Sequence, residues 1–539
     1  MKGEWWLLAA EGVAFSNVIT RYAPDAAVAA ASHLAAAAGL AALDRDGNAA
    51  DAAVTAAAVM AVVAPHMCGL GGDMFAMVAG PGMPPAALNA SGRAGSGADA
   101  AQLRDQGASR MPFQHDVRSV TVPGCVDGLL ALHERFGSLP LAGLLAPAQR
   151  LATAGFPVSA TLAHASADLD PRDRDVAFGN PAPLTAGQRL LLPGVGRALE
   201  AIAASGRAGF YEGPAGAELI SLGGGEFTEE DLRGSQADWI QPLQLPAFGH
   251  TLWAAPPNSQ GYLALAGAWI AERTGLPGDT EDGRWAFLLV EAARQAAFDR
   301  PAVLHEHADG AALIAPARLA PRAAAVREHA RRGLADVYGG GGTTHICAVD
   351  RKRMGVSLTM SNAADFGSQI VLPLHGIFLH NRGMGFSLDP GHPAADGPGR
   401  RPPHTLSPLI VTDSSGRLDS VLGTMGADAQ PQVLLQLIVR LLALRETAGD
   451  AVAAPRWVLS REPTNAFDVW QLDSPPLVRL EHDAPAAWSR GLHERGYQVV
   501  VSPPGDQAFG HAQVIRVTDE GLLSGAADPR AGDGAFAGR

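Results

Sequence analysis

Hydrophobic and polar positions divide this chain into two regimes. Near the start, residues 25–43 (DAAVAAASHLAAAAGLAAL) predict a helix, the turn DRDGN follows, and AADAAVTAAAVMAVVA predicts a second helix that must stop at Pro65. Both are apolar nearly all round, so the pair is expected to be buried. PHMCGLGGDMFAMVAG then reads as a glycine turn feeding a strand. Its spacing is not GxGxxG, no Lys-Ser/Thr follows, and a strand rather than a helix comes next, so a tight turn is favoured over a phosphate loop. From about 120 to 330 the pattern is mostly helical. FTEEDL marks one helix start, with Thr228 and Asp231 arranged as a capping box in which Asp replaces the usual Glu or Gln. RWAFLLVEAARQAAFDR is amphipathic and ends just before Pro301. Residues 331–342 (RRGLADVYGGGG) read as a linker. Beyond it the period shortens to two: THICAVD with MGVSLTM, and SPLIVTD with LDSVLGT, predict strand pairs. QPQVLLQLIVRLLALRE predicts a buried helix, and no internal repeat is visible.

Composition narrows the class. With 539 residues and 47% hydrophobic content, the chain can bury one large core or two joined ones. Helical segments interleaved with short apolar runs indicate an α/β or α+β enzyme. The net charge of −13, without a dense Lys/Arg cluster, argues against a nucleic-acid partner, because phosphate contact needs a basic face. Cys68, Cys125 and Cys347 are odd in number, far apart and free of any CxxC spacing, which argues against a disulfide framework or structural zinc. The HEH at 305–307 lacks a third partner and reads as a solvated loop rather than a metal site. The opening MKGEWWLLAAEGVAF carries one lysine, an early Glu4 and an apolar run too short for a signal peptide, and no other run reaches membrane-spanning length. A soluble, cytoplasmic protein without a membrane partner is the expectation.

The stretch VYGGGGTTHICAVD, Val337 to Asp350, carries the candidate chemistry. One reading is a flexible linker that happens to precede a strand. The other is self-cleavage, in which a threonine hydroxyl attacks the carbonyl before it and water opens the resulting ester. The scissile peptide must bend in a way that residues with a Cβ resist and glycine permits. The product would begin with threonine, whose α-amine has a reference pKa of about 7.7–8.0 and stands beside its own hydroxyl as a base.

TTHICAVD followed by GVSLTMSNAADFGSQIVLPLHGIFLHN resembles the small subunit of the gamma-glutamyltranspeptidases. NAADAAVTAAAVMAVVAPHMCGLGGDMFAMV, TVPGCVDGLLALHERFGSLPLAGLLAPAQRLATAGFPV, APPNSQG, RPPHTLSPLIV and the terminal GAADPR resemble further blocks of that family, in order along nearly the whole chain. The resemblance implies an α+β fold, a four-layer αββα sandwich of the N-terminal-nucleophile hydrolase type, formed by two self-cleaved fragments of one chain. Residues 1–342 would be the large-subunit region, ending in the processing linker 331–342, and 343–539 the small-subunit region. It also implies that Thr343 is the nucleophile, Gly342–Thr343 the cleavage bond, and Ser361 the hydroxyl that assists processing. Two positions on, Ala363 stands where the family usually has asparagine, and the neighbouring Asn362 is a candidate substitute. Gly426 and Ala427 match the pair whose backbone N–H groups cradle the oxyanion, and Arg93 matches the arginine that holds the substrate's α-carboxylate.

The departures bear on the substrate. In HNRGMGF, Arg382 replaces a family Gln, and Gly385 stands where glutathione-directed members carry the Asp that binds the glutamyl amine. His404 and Thr405 replace two serines that assist the carboxylate. This pattern looks like the acylase branch, which includes glutaryl-cephalosporin acylases and oxamate amidohydrolase. Asp365 and Asp428 are candidates for the missing anion. The resemblance thus implies a self-processing amide hydrolase or acyltransferase working through an acyl-threonine. Gamma-glutamyl amides of glutathione type are the first substrate class and dicarboxylic monoamides the alternative, with water or an amino acid or peptide as acceptor and no cofactor or metal. An uncleaved, inactive homologue acting as a binding protein is the competing reading from another class.

Overall fold

The computed structural model describes residues 19–326, 342–460 and 477–539. Two seven-stranded sheets lie at its centre. The first runs, strand by strand, Ala535–Gly538, Ala27–Ala30, Gly342–Val349, Gly355–Ala363, Asp73–Gly80, Met83–Ala90 and Asp238–Ile240. The second runs Arg21–Ala23, Leu523–Ala527, Ala512–Val517, Leu418–Thr424, Leu409–Thr412, His250–Ala254 and Leu243–Ala247.

Strand parity builds the layers. On the first sheet, Val28, Ala30, Met74, Ala76, Val78, Ile346, Ala348, Val356 and Leu358 pack against the helices His33–Asp44, Ala49–Val63, Cys125–Phe136 and Leu141–Ala154. Their alternates Ala27, Ala29, Phe75, Met77, Ala79, Cys347 and Val349 meet Ile410, Val421, Ile515 and Leu523 of the second sheet. The other face of that sheet, with Leu252, Ala254, Leu409, Val411, Leu422 and Val514, is covered by Tyr262–Glu272, Gly283–Ala297, Gln430–Ile438 and Ala486–Glu494. Helix, sheet, sheet, helix is the αββα sandwich expected from the sequence.

Most predicted elements are present. The second alanine-rich helix is Ala49–Val63, entirely buried and opened by an Asn48–Asp51 capping box, and the Thr228–Asp231 box opens Glu229–Arg233. Both predicted strand pairs form in antiparallel register. The buried helix begins at Gln430 and passes into a wider turn at Val439–Ala443. The first alanine-rich stretch differs from expectation, because Ala27–Ala30 is a strand and the helix starts only at His33. Alanine favours helix locally, but AVAA is flanked on both sides by strands that satisfy its backbone groups. Likewise Leu243–Ala247 and His250–Ala254 form an edge hairpin inside the stretch read as helical. The linker 331–342 lies outside the described residues except for Gly342, as does the opening segment up to residue 18.

Each sheet draws strands from both sides of the Gly342–Thr343 bond, so the two regions share their cores. Cys68, Cys125 and Cys347 are buried free thiols. Among the described residues, no helix is long and apolar enough to cross a membrane.

Candidate active site

Thr343 begins an inner strand of the first sheet and stands opposite Ser361, with a register shift between Gly342 and Thr343. Both side chains are buried, and their hydroxyl oxygens are 2.9 Å apart. Ser361 Oγ donates to the carbonyl of Gly342 at 2.6 Å and accepts from the N–H of Ala363 at 2.8 Å. With its own proton committed to Gly342 O, Ser361 is left to accept from Thr343, so a hydroxyl chain runs from Thr343 to the carbonyl just before it. Gly342 has no room for a side chain: an added Cβ would lie 2.5 Å from His66 O and 2.7 Å from Ala364 O. Glycine is therefore required here by packing as well as by conformational freedom.

Asn362 does not share the face of Thr343 and Ser361. It points to the opposite face, where its Nδ2 donates to Pro65 O at 3.0 Å. Ala363 turns the chain at φ +72°, a left-handed conformation that costs a residue with a Cβ. The turn Gly69–Gly72 packs tightly behind this hairpin, where a Cβ added to Gly72 would collide with Ser361 O and one added to Gly71 with Phe378 O. That close approach accounts for the glycines which the sequence assigned to a tight turn.

Gly426 and Ala427 form the loop between the strand Leu418–Thr424 and the helix Gln430–Ile438. Gly426 has φ +134° and Ala427 φ +45°, so the methyl group is accepted in a strained turn. The loop is pinned by Met425 N donating to His511 O at 3.1 Å and by Gln260 Nε2 donating to Ala427 O at 3.1 Å. Gln260 Nε2 also donates to Thr405 O at 3.1 Å, tying this loop to the next group of candidates.

A cavity of about 320 Å³, lined in part by Arg110, Arg300, Arg382, Gly385, His392 and Asp428, adjoins this loop through Asp428, while Thr343, Ser361, Gly426 and Ala427 are not among its lining residues. Arg382 is buried, and its Nη1 reaches Thr405 Oγ1 at 3.4 Å. Burial lowers its guanidinium to about 10, against the opposing pull of Asp428. A Cβ on Gly385 would lie 3.0 Å from Arg382 Nη2. Asp428 pairs with Arg300 at 3.0 Å. Asp365, the other candidate anion, is exposed beside Asp168 and His164 and does not line the cavity.

His404 is also buried and turned away from the cavity. Its Nδ1 accepts from Leu406 N at 3.2 Å, so Nε2 carries the proton and donates to Asp73 Oδ2 at 3.2 Å. Burial lowers the imidazole to about 4, even with that carboxylate beside it. Arg93 lies outside the cavity lining as well: its Nη2 donates to Asp238 Oδ2 at 3.0 Å, and the same carboxylate pairs with Arg401 at 2.7 Å. The structure therefore brings Thr343, Ser361 and Gly342 together, joins Arg382 to Thr405, and leaves His404 hydrogen-bonded to Asp73 and Arg93 ion-paired to Asp238. Asp73, in GLGGD, and Gln260, in APPNSQG, lie inside family-like blocks that give them no role, and no local motif marks Arg300. In the HEH stretch, Glu306 accepts from Arg401 N at 3.1 Å and lies 3.4 Å from Arg400 Nε, as a loop clasp would.

The family model described as gamma-glutamyltranspeptidase matches residues 35–538. The oxamate amidohydrolase proenzyme of Klebsiella pneumoniae is 36% identical over 528 residues, covering 94% of this chain and 97% of that one. The glutathione hydrolase-like YwrD proenzyme of Bacillus subtilis is 33% identical over 525 residues, covering 94% and 97%. Among solved structures, a cephalosporin acylase from Bacillus halodurans superposes with a TM-score of 0.86 at 30% identity, covering 97% of both chains.

Proposed function

We infer that this chain, which belongs to the gamma-glutamyltranspeptidase family of hydrolases, cuts itself between Gly342 and Thr343 and then hydrolyses small amides whose acyl group carries a carboxylate. The observation that carries the first half is the hydroxyl chain from Thr343 through Ser361 to Gly342 O. Thr343 Oγ1 attacks the Gly342 carbonyl carbon while its proton passes to Ser361. That proton ends on the peptide nitrogen as the C–N bond breaks, so that the nitrogen leaves as the α-amine of Thr343, and water opens the ester to free the Gly342 carboxylate. Residues 1–342 and 343–539 then form a heterodimer held by their shared sheets.

In the processed enzyme the α-amine takes the hydroxyl proton as Thr343 attacks a substrate amide, and gives it to the departing amine. The N–H groups of Gly426 and Ala427 serve the oxyanion. Water, or an acceptor amine, resolves the acyl-threonine. No step in this sequence draws on a metal or cofactor.

The cavity favours a dicarboxylic monoamide over a gamma-glutamyl donor. Its wall presents Arg110, Arg300 and Arg382 against the single carboxylate of Asp428, and that acid is already paired with Arg300. Arginine binds carboxylates in a bidentate fork, whereas an incoming α-ammonium would meet guanidinium groups where the family's acid stands elsewhere. The gamma-glutamyl reading keeps one supporting feature, the presence of Asp428 on the cavity wall. Intact-mass analysis of wild type and Thr343→Ala, followed by glutaryl, oxalyl and gamma-glutamyl anilides, tests both halves. Two fragments from wild type, one chain from the variant, and a glutaryl or oxalyl preference are expected. An active wild type that stays a single chain refutes the mechanism, and a strong gamma-glutamyl preference refutes the substrate assignment.

A further inference from the structure

One buried carboxylate has no part in the chemistry above. Asp73 lies on the strand next to the nucleophile hairpin, directly opposite Ser361 and on the same inner face. Its Oδ1 accepts from the N–H groups of Gly92 at 2.9 Å and Gly124 at 3.2 Å. Its Oδ2 accepts from His404 Nε2 at 3.2 Å and lies 3.6 Å from His380 Nδ1. Burial opposes its charge, but His380, His404 and Gly92 together hold the carboxyl below its ordinary value.

Both histidines lead onward to the same place. His380 Nδ1 accepts from the backbone N–H of Arg382 at 3.2 Å. His404 is followed directly by Thr405, whose hydroxyl accepts from Arg382 Nη1 at 3.4 Å. His380 is further fixed by Thr121 O, 3.0 Å from its Nε2. The Asp73 charge also acts on the Arg382 guanidinium. The carboxylate thus holds the His404 ring by a hydrogen bond, whereas His380, whose Nδ1 accepts from Arg382 N–H and whose Nε2 donates to Thr121 O, only packs beside it.

We propose that Asp73 is a positioning residue for substrate selection: through His404 it sets the Thr405–Arg382 pair against the carboxylate end of the acyl donor. The proposal rests on the carboxylate-binding reading of Arg382 given above. A guanidinium fork recognises a carboxylate only over a narrow range of orientation, so groups that fix the fork act on selectivity even though they never touch substrate. A purely structural role, tying the strand to Gly92 and the helix that starts at Cys125, predicts no such selectivity.

The test compares processed wild type and Asp73→Asn on glutaryl anilide and on pentanoyl anilide, which lacks the carboxylate. The expected result is an about tenfold fall in the ratio of kcat/KM for the two substrates, arising in the KM for glutaryl anilide. If both substrates lose equally and the ratio holds, Asp73 is structural and the proposal is overturned. Should Asp73→Asn fail to fold and process, His404→Gln removes the ring while leaving Asp73 on its two backbone N–H groups, and a retained ratio there overturns the proposal equally. Arg382→Ala separates the two claims. If it leaves the ratio intact, the carboxylate reading itself fails, whereas an abolished ratio there with an unmoved one in Asp73→Asn sinks only the positioning role.

Discussion

Placing the family's acid back at position 385 has an outcome that the sequence alone would misjudge. A carboxylate there would be expected to restore binding of a glutamyl ammonium. In this fold the Cβ at 385 comes 3.0 Å from Arg382 Nη2 and 3.0 Å from Pro403 O, so the carboxylate introduced by Gly385→Asp meets the guanidinium first. Arg382 is buried, and the new ion pair would therefore be formed with little screening. The substrate carboxylate then loses a charge-assisted hydrogen bond, about 1.5–3 kcal/mol, and must also approach a like charge. That corresponds to a fall of about 10- to 150-fold in kcat/KM for glutaryl anilide. Gamma-glutamyl anilide gains nothing, because the added charge is spent on Arg382. Gly385→Ala isolates the steric part, since its methyl group makes the same 3.0 Å contacts without the charge. Steady-state kinetics on both anilides, with each variant first confirmed as processed, decide the matter. A Gly385→Asp enzyme that gains on gamma-glutamyl anilide while holding its glutaryl activity would refute the idea that Arg382 owns this corner of the cavity.

Removing the Ser361 hydroxyl that bridges Thr343 and Gly342 O should slow processing by about 10- to 100-fold, a loss of about 1–3 kcal/mol; Ser361→Thr should retain most of the rate. Time-resolved denaturing gels measure this, and unaltered processing in Ser361→Ala would remove the serine from the mechanism. The kcat/KM profile should rise with pH through an ionisation near that of an N-terminal amine, about 7.7–8.0. A singly replaced histidine that processes normally yet loses several orders of magnitude in rate would point to a different base. Burial lowers His66 and His345 to about 3 and His404 and His511 to about 4, below their unfolded value. Their neutral forms cost nothing above the unfolded value of about 6.5, and stability is lost as pH falls below it, with each ring contributing about 2 kcal/mol of destabilisation by pH 5. Urea unfolding at pH 7.5 and 5.0 should show a drop of several kcal/mol, and a flat profile would show that these rings are not held neutral.

What sequence could reach was set by how far apart the interacting groups lie along the chain. Thr343 and Ser361 belong to one hairpin, so the alternation of its two strands already places both hydroxyls on one face, and the glycine before the threonine marks the bond. The same parity excludes Asn362, which needs no tertiary information beyond the register. The strand Ala27–Ala30 escaped because four small residues carry no period, and only the neighbours on either side decide their conformation. Arg93 shows the limit from the other direction. Its local context matches a binding residue, yet its partner Asp238 sits in a short strand within a stretch that reads as helical, and the pair forms only when the sheet closes. Arg300 with Asp428 by charge, and Asp73 with His404 by a hydrogen bond, are likewise joined across distant segments. Such pairing leaves no periodic trace, because a single contact satisfies it and neither partner constrains the residues beside the other. The half of the site proposed to be catalytic is thus local and readable, while the half proposed to select the acyl group is a network of such pairs. Substitutions that alter specificity should accordingly include residues that no motif singles out, Asp73 and Arg300 first among them, beside the motif positions Arg382 and Gly385.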